Sequence, residues 1–268
     1  MSSLDKMLEI LGLFGEDRLS LDLADVERLT GSSRPTCYRY LRSLTKAGLL
    51  STASSGRYTI GSRVLEMARL QYQYDPLRRA AQHKIRYYAQ EHGLNILLCS
   101  FYGDKVICTD NAWVSGSLPD IYQPGHALPI FRGAMGKSIL AQFSRTQLAA
   151  IFRNNAKAIG EYHLGATLDE FIAEMAKLRS QRIIVTQGEV LKDLVGIASP
   201  ILHDEQIVAG CVVIVVTKAE FETYDPVNLK KQVTALAASI EADIDSFQKA
   251  TPDARPFPSP SRTPVFST

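Results

Sequence analysis

No stretch of this 268-residue chain is apolar for long enough to cross a membrane. Its longest apolar run, residues 207–216, falls far short of the roughly 20 residues a spanning helix requires. The opening residues, MSSLDKMLEILG, lack the basic segment, apolar stretch and small-residue cleavage site of a secretory signal. Cysteine is scarce and scattered: Cys37, Cys99, Cys108 and Cys211 show neither CxxC nor zinc-ligand spacing. The expected compartment is therefore a reducing cytoplasm. Histidines 83, 92, 126, 163 and 203 form no HxH or HExxH cluster, and GxSxG is missing. No metal, cofactor or catalytic residue is expected, although an enzymatic C-terminal domain remains the rival class. What is present, 46% hydrophobic and 22% charged residues with a net charge of +2, is ordinary for one large or two medium globular domains.

The informative absence is local. From Gly31 through Leu65 there is no Asp or Glu, while Arg34, Arg39, Arg42, Lys46, Arg57 and Arg63 fall inside that window. Asp17, Asp22, Asp25 and Glu27 lie just before it. Leu4, Met7, Leu8, Leu11 and Phe14 have the spacing of an amphipathic helix, which Gly15 is expected to close. Asp22 can cap a second short helix that stops at Thr30-Gly31, with Asp25 in its first turn. Ser33 can cap a third helix, in whose first turn Pro35 is tolerated because N–H groups there have no intrahelical partner. At 100° per residue Cys37, Leu41 and Leu44 share one face of that helix, and Arg39, Arg42 and Lys46 occupy the other. Gly48 ends it, and residues 49–52 and 57–60 make two short extended segments around Ala53-Ser54-Ser55-Gly56.

Two helices joined by a tight turn, the second basic and followed by a hairpin, describe a winged helix-turn-helix. Such a module lays its second helix in the DNA major groove and its wing along the backbone. Candidate DNA-binding residues are Ser32, Ser33, Arg34, Thr36, Tyr38, Arg39, Arg42, Lys46 and Arg57. The first four lie where hydroxyls and a guanidinium can reach base edges; the later cations suit phosphates. A winged helix that binds protein is the alternative, and the charge asymmetry favours DNA. The run LADVERLTGSSRPTCYRYLRSLTKAGLL…GRYTIGSRVLEMARL resembles the DNA-binding domain of IclR-type bacterial transcriptional regulators. Ser32, where that family usually has leucine, and Pro35 depart from its pattern at the base-reading end.

Residues 63–73 continue as a helix with Val64, Leu65, Ala68 and Tyr72 on one stripe, broken at Tyr74-Asp75-Pro76. A helix over 77–91 ends at His92-Gly93. The period then shortens towards 2. Segments 95–102 and 105–111 flank Gly103-Asp104 as a hairpin, and a two-residue turn sets Tyr102 opposite Lys105 and Cys99 opposite Cys108. A disulfide there would be strained, and two small buried thiols are expected instead. Residues 113–123 are irregular. GAMGKS invites comparison with a phosphate-binding loop, but Phe131 stands where that motif needs its first glycine, and nucleotide hydrolysis is rejected. What survives is a helix N-terminus near Gly133–Gly136 with N–H groups suited to a carboxylate.

Helices follow over 144–154 and 167–181, then a strand over 182–186 and a hairpin of 194–202 with 207–216 around Asp204-Glu205. The near-continuous apolar character of that hairpin suits a sheet covered on both faces or covering a ligand cavity. A helix over 225–247 closes the domain, and the proline-rich residues 251–268 are expected to be disordered. The fold class is α+β: an N-terminal winged helix-turn-helix (1–62), a linker helix (63–75), and a C-terminal domain on an antiparallel sheet (76–250).

GHALPIFRGAMGKSILA and GEVLKDLVGIASPIL…IVAGCVVIVV extend the resemblance to the IclR family over nearly the whole chain. It implies a GAF-like effector domain that binds a small metabolite, often an organic or aromatic acid, between sheet and helices. Mapped by position, the effector site would comprise Leu128, Arg132, Ala134, Met135, Thr186, Leu194, Gly196 and Val212. Arg132, where the family usually has a small residue, hints at an anionic ligand, though it equally suits a surface salt bridge. Val212 and Ile214, apolar where relatives that bind very small acids can carry hydroxyls, hint at a bulkier one. The expected partners are double-stranded operator DNA, a small-molecule carboxylate and further copies of the chain, as homodimer or homotetramer, with no membrane.

Overall fold

A computed structural model describes residues 2–102, 105–203 and 207–250 and divides the chain into two units, Met1–Tyr74 and Asp75–Thr268. In the first, helix α1 (Ser3–Gly12) starts at a capping box in which the Ser2 and Asp5 side chains each accept the other's backbone N–H. It ends at Gly12, earlier than expected, because Gly15 instead bridges Arg18 in a tight turn. Helix α2 (Leu23–Thr30) is capped as expected by Asp22, whose carboxylate accepts the Asp25 N–H while Asp25 accepts that of Asp22. Gly31, at φ +63°, turns the chain through the left-handed region into α3 (Arg34–Lys46).

Helix α3 buries Cys37, Tyr40, Leu41 and Leu44 against a small core that includes Ile10, Leu21, Val26 and Leu50. Tyr40 joins the expected face because its hydroxyl reaches Ser3 Oγ at 2.7 Å. Strands β1 (Leu50–Thr52) and β2 (Tyr58–Ile60) pair antiparallel as the wing, and Leu21 bridges Tyr58 beside them. Helix α4 (Ser62–Tyr74) ends the unit and buries none of its residues.

The Asp25 carboxyl is held below its ordinary range, first by the Asp22 backbone N–H and then by Arg28. Because the folded value is the lower one, its stabilisation is complete above the unfolded-chain value of about 3.9 and fades as pH falls through the folded value. Asp25→Asn should therefore flatten the fall in melting temperature between about pH 5 and pH 3, measured by circular dichroism.

Asp75 caps α5 (Pro76–His92), with Pro76 in the first turn and Gly93 closing the helix at φ +66°. Strands β3 (Asn95–Tyr102) and β4 (Lys105–Ala112) pair in the register expected, Cys99 opposite Cys108 and Tyr102 opposite Lys105. After a short 3-10 turn (Asp120–Tyr122) come β5 (Ala127–Leu128), α6 (Gly133–Leu140), α7 (Arg145–Glu161, kinked at Asn155) and α8 (Leu168–Gln181). The chain continues through β6 (Ile184–Gln187), β7 (Leu194–His203), β8 (Ile207–Thr217), α9 (Lys218–Thr223) and α10 (Pro226–Ala250). The expected turns at 103–104 and 204–205 and the tail at 251–268 lie outside the described residues.

The six strands form one antiparallel sheet in the order β5-β4-β3-β8-β7-β6. Its two faces bury separate cores. Leu97, Cys99, Val106, Cys108, Cys211, Val213 and Val215 meet α6, α7 and α8 on one side. Ile96, Leu98, Val195, Ile197, Val212, Ile214 and Val216 meet α5 and α10 on the other. The N-terminal winged helix-turn-helix and the α+β domain on its antiparallel sheet are the architecture read from the sequence. The cysteines are free thiols, and Cys108, Cys99 and Cys211 lie side by side across β4, β3 and β8. Hydrogen bonding with Cys99, then burial, raises Cys108, so it stays a protonated, unreactive thiol.

Candidate nucleic-acid interface and effector site

The outer face of α3 carries Tyr38, Arg39, Arg42 and Lys46, all exposed. Among the described residues none of these three cations forms an ion pair. Arg39 leans over the Tyr40 ring, its guanidinium carbon 5.7 Å from the centroid. At the leading end, Ser33 holds the N-cap position, but its hydroxyl donates to Thr36 Oγ1 at 3.0 Å instead of accepting a backbone N–H. Ser32 is partly buried, its carbonyl accepting from Cys37 Sγ, and Arg34 lies 3.7 Å from Glu27.

Arg57 is placed differently from the other candidates. Its Nε donates to Ser20 Oγ and its Nη2 to the Ser20 carbonyl, both at 2.8 Å. Its Nη1 and Nη2 also lie 3.4 Å and 3.5 Å from Asp22 and Asp25. The guanidinium expected to contact DNA thus packs along the segment that leads into α2, with its side chain 40% exposed.

In the second unit α6 packs against β6, β7 and β8. Gly196 on β7 lies beneath α6: a Cβ there would lie 3.4 Å from Ala134 Cβ, 3.7 Å from Val213 Cγ1 and 3.9 Å from Thr186 Oγ1. Met135 is buried beside them, its carbonyl 3.8 Å from Cys211 Sγ, and Leu194 packs on the same core. Leu128 shares that core from β5, four strands away from β7. Val212 does not belong to the group. It is buried on the opposite face, among the α5 and α10 contacts, and so is Ile214. Side chains alternate along β8, so the residues beneath α6 are Cys211 and Val213.

The α6 N-terminus also differs from expectation. The Gly133 N–H donates to Glu189 Oε2 at 2.8 Å, and Lys137 Nζ donates to Glu189 Oε1 at 2.7 Å. The positive helix end has taken a carboxylate, but one supplied by the protein. Gly136 lies under the Pro129 and Ile130 carbonyls, so closely that a Cβ would stand 2.6 Å from the former. Gly136 thus serves this close packing. Arg132 precedes the helix, its guanidinium carbon 5.8 Å from the Tyr162 centroid, and makes no ion pair among the described residues.

Sequence reasoning missed the Glu189–Lys137 bridge, the Arg57–Ser20 contacts and two buried polar atoms beside the α6 core. Trp113 Nε1 and Ser138 Oγ have no hydrogen-bond partner among the described residues. Trp113 stacks near Tyr122, whose hydroxyl burial pushes up to about 12. No signal in the chain marks the Arg57 and Lys137 contacts, because each joins segments far apart in sequence. Among the described residues there is no group of His, Cys, Asp and Glu able to hold a metal, and no helix long and apolar enough to cross a membrane.

Comparison with known proteins places this geometry. The family model described as "IclR helix-turn-helix domain" matches residues 3–54, and "Bacterial transcriptional regulator IclR C-terminal" matches residues 72–242. The chain is 25% identical over 209 residues to the HTH-type transcriptional regulator KipR of Bacillus subtilis, covering 76% of this chain and 82% of KipR. Crystal structures share the fold. That of an IclR transcriptional regulator from Silicibacter sp. TM1040 is 21% identical with a TM-score of 0.72, covering 96% of this chain and 100% of that one. An IclR homolog from Microbacterium hydrocarbonoxydans, complexed with 4-hydroxybenzoate, is 18% identical with a TM-score of 0.66, covering 91% and 100%. With family matches across both units, this chain belongs to the IclR family of bacterial transcriptional regulators, with a DNA-binding helix-turn-helix and a C-terminal effector domain.

Proposed function

We propose that this regulator binds operator DNA as a homodimer or homotetramer and responds to a small organic acid, of the aromatic carboxylate class, held beneath α6. The observation that carries the DNA part is the outer face of α3, where Arg39, Arg42 and Lys46 are exposed and free of ion pairs among the described residues. Ser32, Ser33, Arg34 and Thr36 stand at the base-reading end of the same helix; Tyr38, Arg39, Arg42 and Lys46 take the backbone. Oligomerisation follows from two considerations. One recognition helix makes few base contacts, and pairing two multiplies them. In addition, α4 leaves Leu65 (75% exposed) and Tyr72 on one side, and Met67 and Leu70 on the other, uncovered in the single chain, apolar surface that a second copy can cover.

The effector site comprises Ala134, Met135, Thr186, Leu194 and Gly196 from the earlier set, joined by Val213, with Leu128 further along the same core. Val212 is dropped from it. Glu189 already satisfies the α6 N-terminus, so Arg132 is the cation for the ligand carboxylate. Trp113 Nε1 and Ser138 Oγ favour a ligand on this side of the sheet, since buried polar atoms are normally paired. The relative with bound 4-hydroxybenzoate supports the ligand class. Effector binding then shifts DNA affinity only as far as it favours one arrangement of the oligomer over another.

The test is a thermal-shift titration with benzoate and 4-hydroxybenzoate beside a DNA mobility-shift assay. Met135→Trp enlarges a side chain buried beneath α6 and should weaken the ligand response about tenfold or more while leaving ligand-free DNA binding intact. Wild-type protein that responds to no carboxylate removes the ligand class. An unchanged titration for Met135→Trp moves the site elsewhere.

A further inference from the structure

We propose that Arg57 is a positioning residue for DNA binding: it holds the wing against the segment leading into α2 and makes no phosphate contact itself. The inference rests on the DNA-binding role of the helix-turn-helix. Every nitrogen of the Arg57 guanidinium faces an acceptor within the unit. Nε and Nη2 grip Ser20 through its hydroxyl and carbonyl, and Nη1 and Nη2 face the carboxylates of Asp22 and Asp25. The planar fork makes these contacts simultaneously, which a lysine ammonium cannot.

The backbone reinforces the grip. Leu21 and Tyr58 exchange N–H···O bonds of 2.9 Å and 2.7 Å, so the backbone of the wing joins the Ser20–Asp22 segment at the residue next to Arg57. The Arg57 carbonyl accepts from Ala53 N at 2.8 Å, closing the wing turn. The surrounding charge is also wrong for a phosphate. Arg57 shares a cleft with Glu16, Asp17, Asp25 and Arg18, so carboxylates outnumber guanidiniums around it. A DNA phosphate would meet a net negative field there, unlike the acid-free outer face of α3. Asp22 and Asp25 are also the capping box of α2, the helix that precedes the turn into α3. Arg57 thereby ties the wing to the element that aims the recognition helix.

The experiment uses duplexes selected from a random-sequence pool by the full-length wild-type protein, and measures affinity across a salt series. Wild-type protein that selects no duplex refutes the DNA-binding reading itself. Given binding, Arg57→Lys is expected to lose about tenfold in affinity, the scale of one charge-assisted hydrogen bond, although it keeps the charge. Arg57→Ala should lose a similar factor with an unchanged slope of log K against log salt. Removal of a phosphate contact would instead flatten that slope by about 0.9. Ser20→Ala, which removes an acceptor but no charge, should weaken binding in the same direction and should not add to Arg57→Lys. Circular dichroism checks that each variant is folded, and Ser20→Ala carries the test if the Arg57 variants are not. Wild-type affinity in Arg57→Lys or Ser20→Ala, or a flattened slope in Arg57→Ala, overturns the proposal.

Discussion

Replacing Arg39 and Arg42 together by alanine should lower DNA affinity about 10- to 100-fold at moderate salt and flatten the salt slope by about 1.8, two phosphate contacts at about 0.9 each. Both side chains are exposed on α3 and have no ion-pair partner among the described residues, so their charge is available to a polyanion. The loss should be nearly uniform across DNA sequences, because phosphate contacts carry no base information. Folding should survive: the buried face of α3 is Cys37, Tyr40, Leu41 and Leu44, and alanine is a better helix former than arginine. Mobility shifts from low to moderate salt provide the measurement. Unchanged affinity and slope would remove α3 from the interface. The contrast with Arg57 is the useful one, since three arginines of the same small unit are expected to give two different salt signatures.

The second large effect is on stability. Asp110→Ala should destabilise the C-terminal unit by about 3–5 kcal/mol, the usual result of removing one partner of a buried ion pair. Arg78 on α5 places its Nε 3.1 Å from Asp110 Oδ2 on β4, with side chains only 8% and 5% exposed. Arg86, from the next turns of α5 and 43% exposed, approaches the same oxygen at 3.5 Å. Asp110 Oδ1 accepts the Asn111 N–H at 2.9 Å, so the carboxylate is satisfied on both sides. Truncation removes the Asp110 carboxylate from beside the buried Arg78 guanidinium, whereas Arg86 can turn to solvent. At about 2–4 °C per kcal/mol for a unit of this size, the melting temperature should fall by roughly 10 °C. Arg86→Ala should cost much less, because exposed pairs contribute little. Replacing Arg78 and Asp110 together by apolar residues of similar volume should recover much of the loss. A melting temperature unchanged in Asp110→Ala would show that the pair does not anchor α5 to the sheet.

Several elements were legible because their causes are local. The Asp22–Asp25 cap, the left-handed Gly31 and Gly93, and Pro76 opening a helix each need only a few neighbouring residues. The Cys99–Cys108 register followed from the two-residue turn alone, since turn length sets strand parity. The basic face of α3 followed from helical periodicity and a window without acids. Val212 shows the limit. In β7 and β8 almost every residue is apolar, so the alternation that would assign faces is invisible, and a shift of one position exchanges the two cores. The short β5 and α9 escaped because two and six residues carry too little pattern.

By itself the sequence determined most of the helix and strand series, the winged helix-turn-helix, the basic outer face of α3 and the antiparallel C-terminal domain. All of these arise from periodicity, capping and turn chemistry within short windows. Only the tertiary structure decided which charges remain available to a partner. Arg57 is engaged by Ser20, 37 positions away, and Lys137 by Glu189, 52 positions away. A side chain's partner is set by what folding brings within 3 Å, and no count of charges along the chain contains that distance.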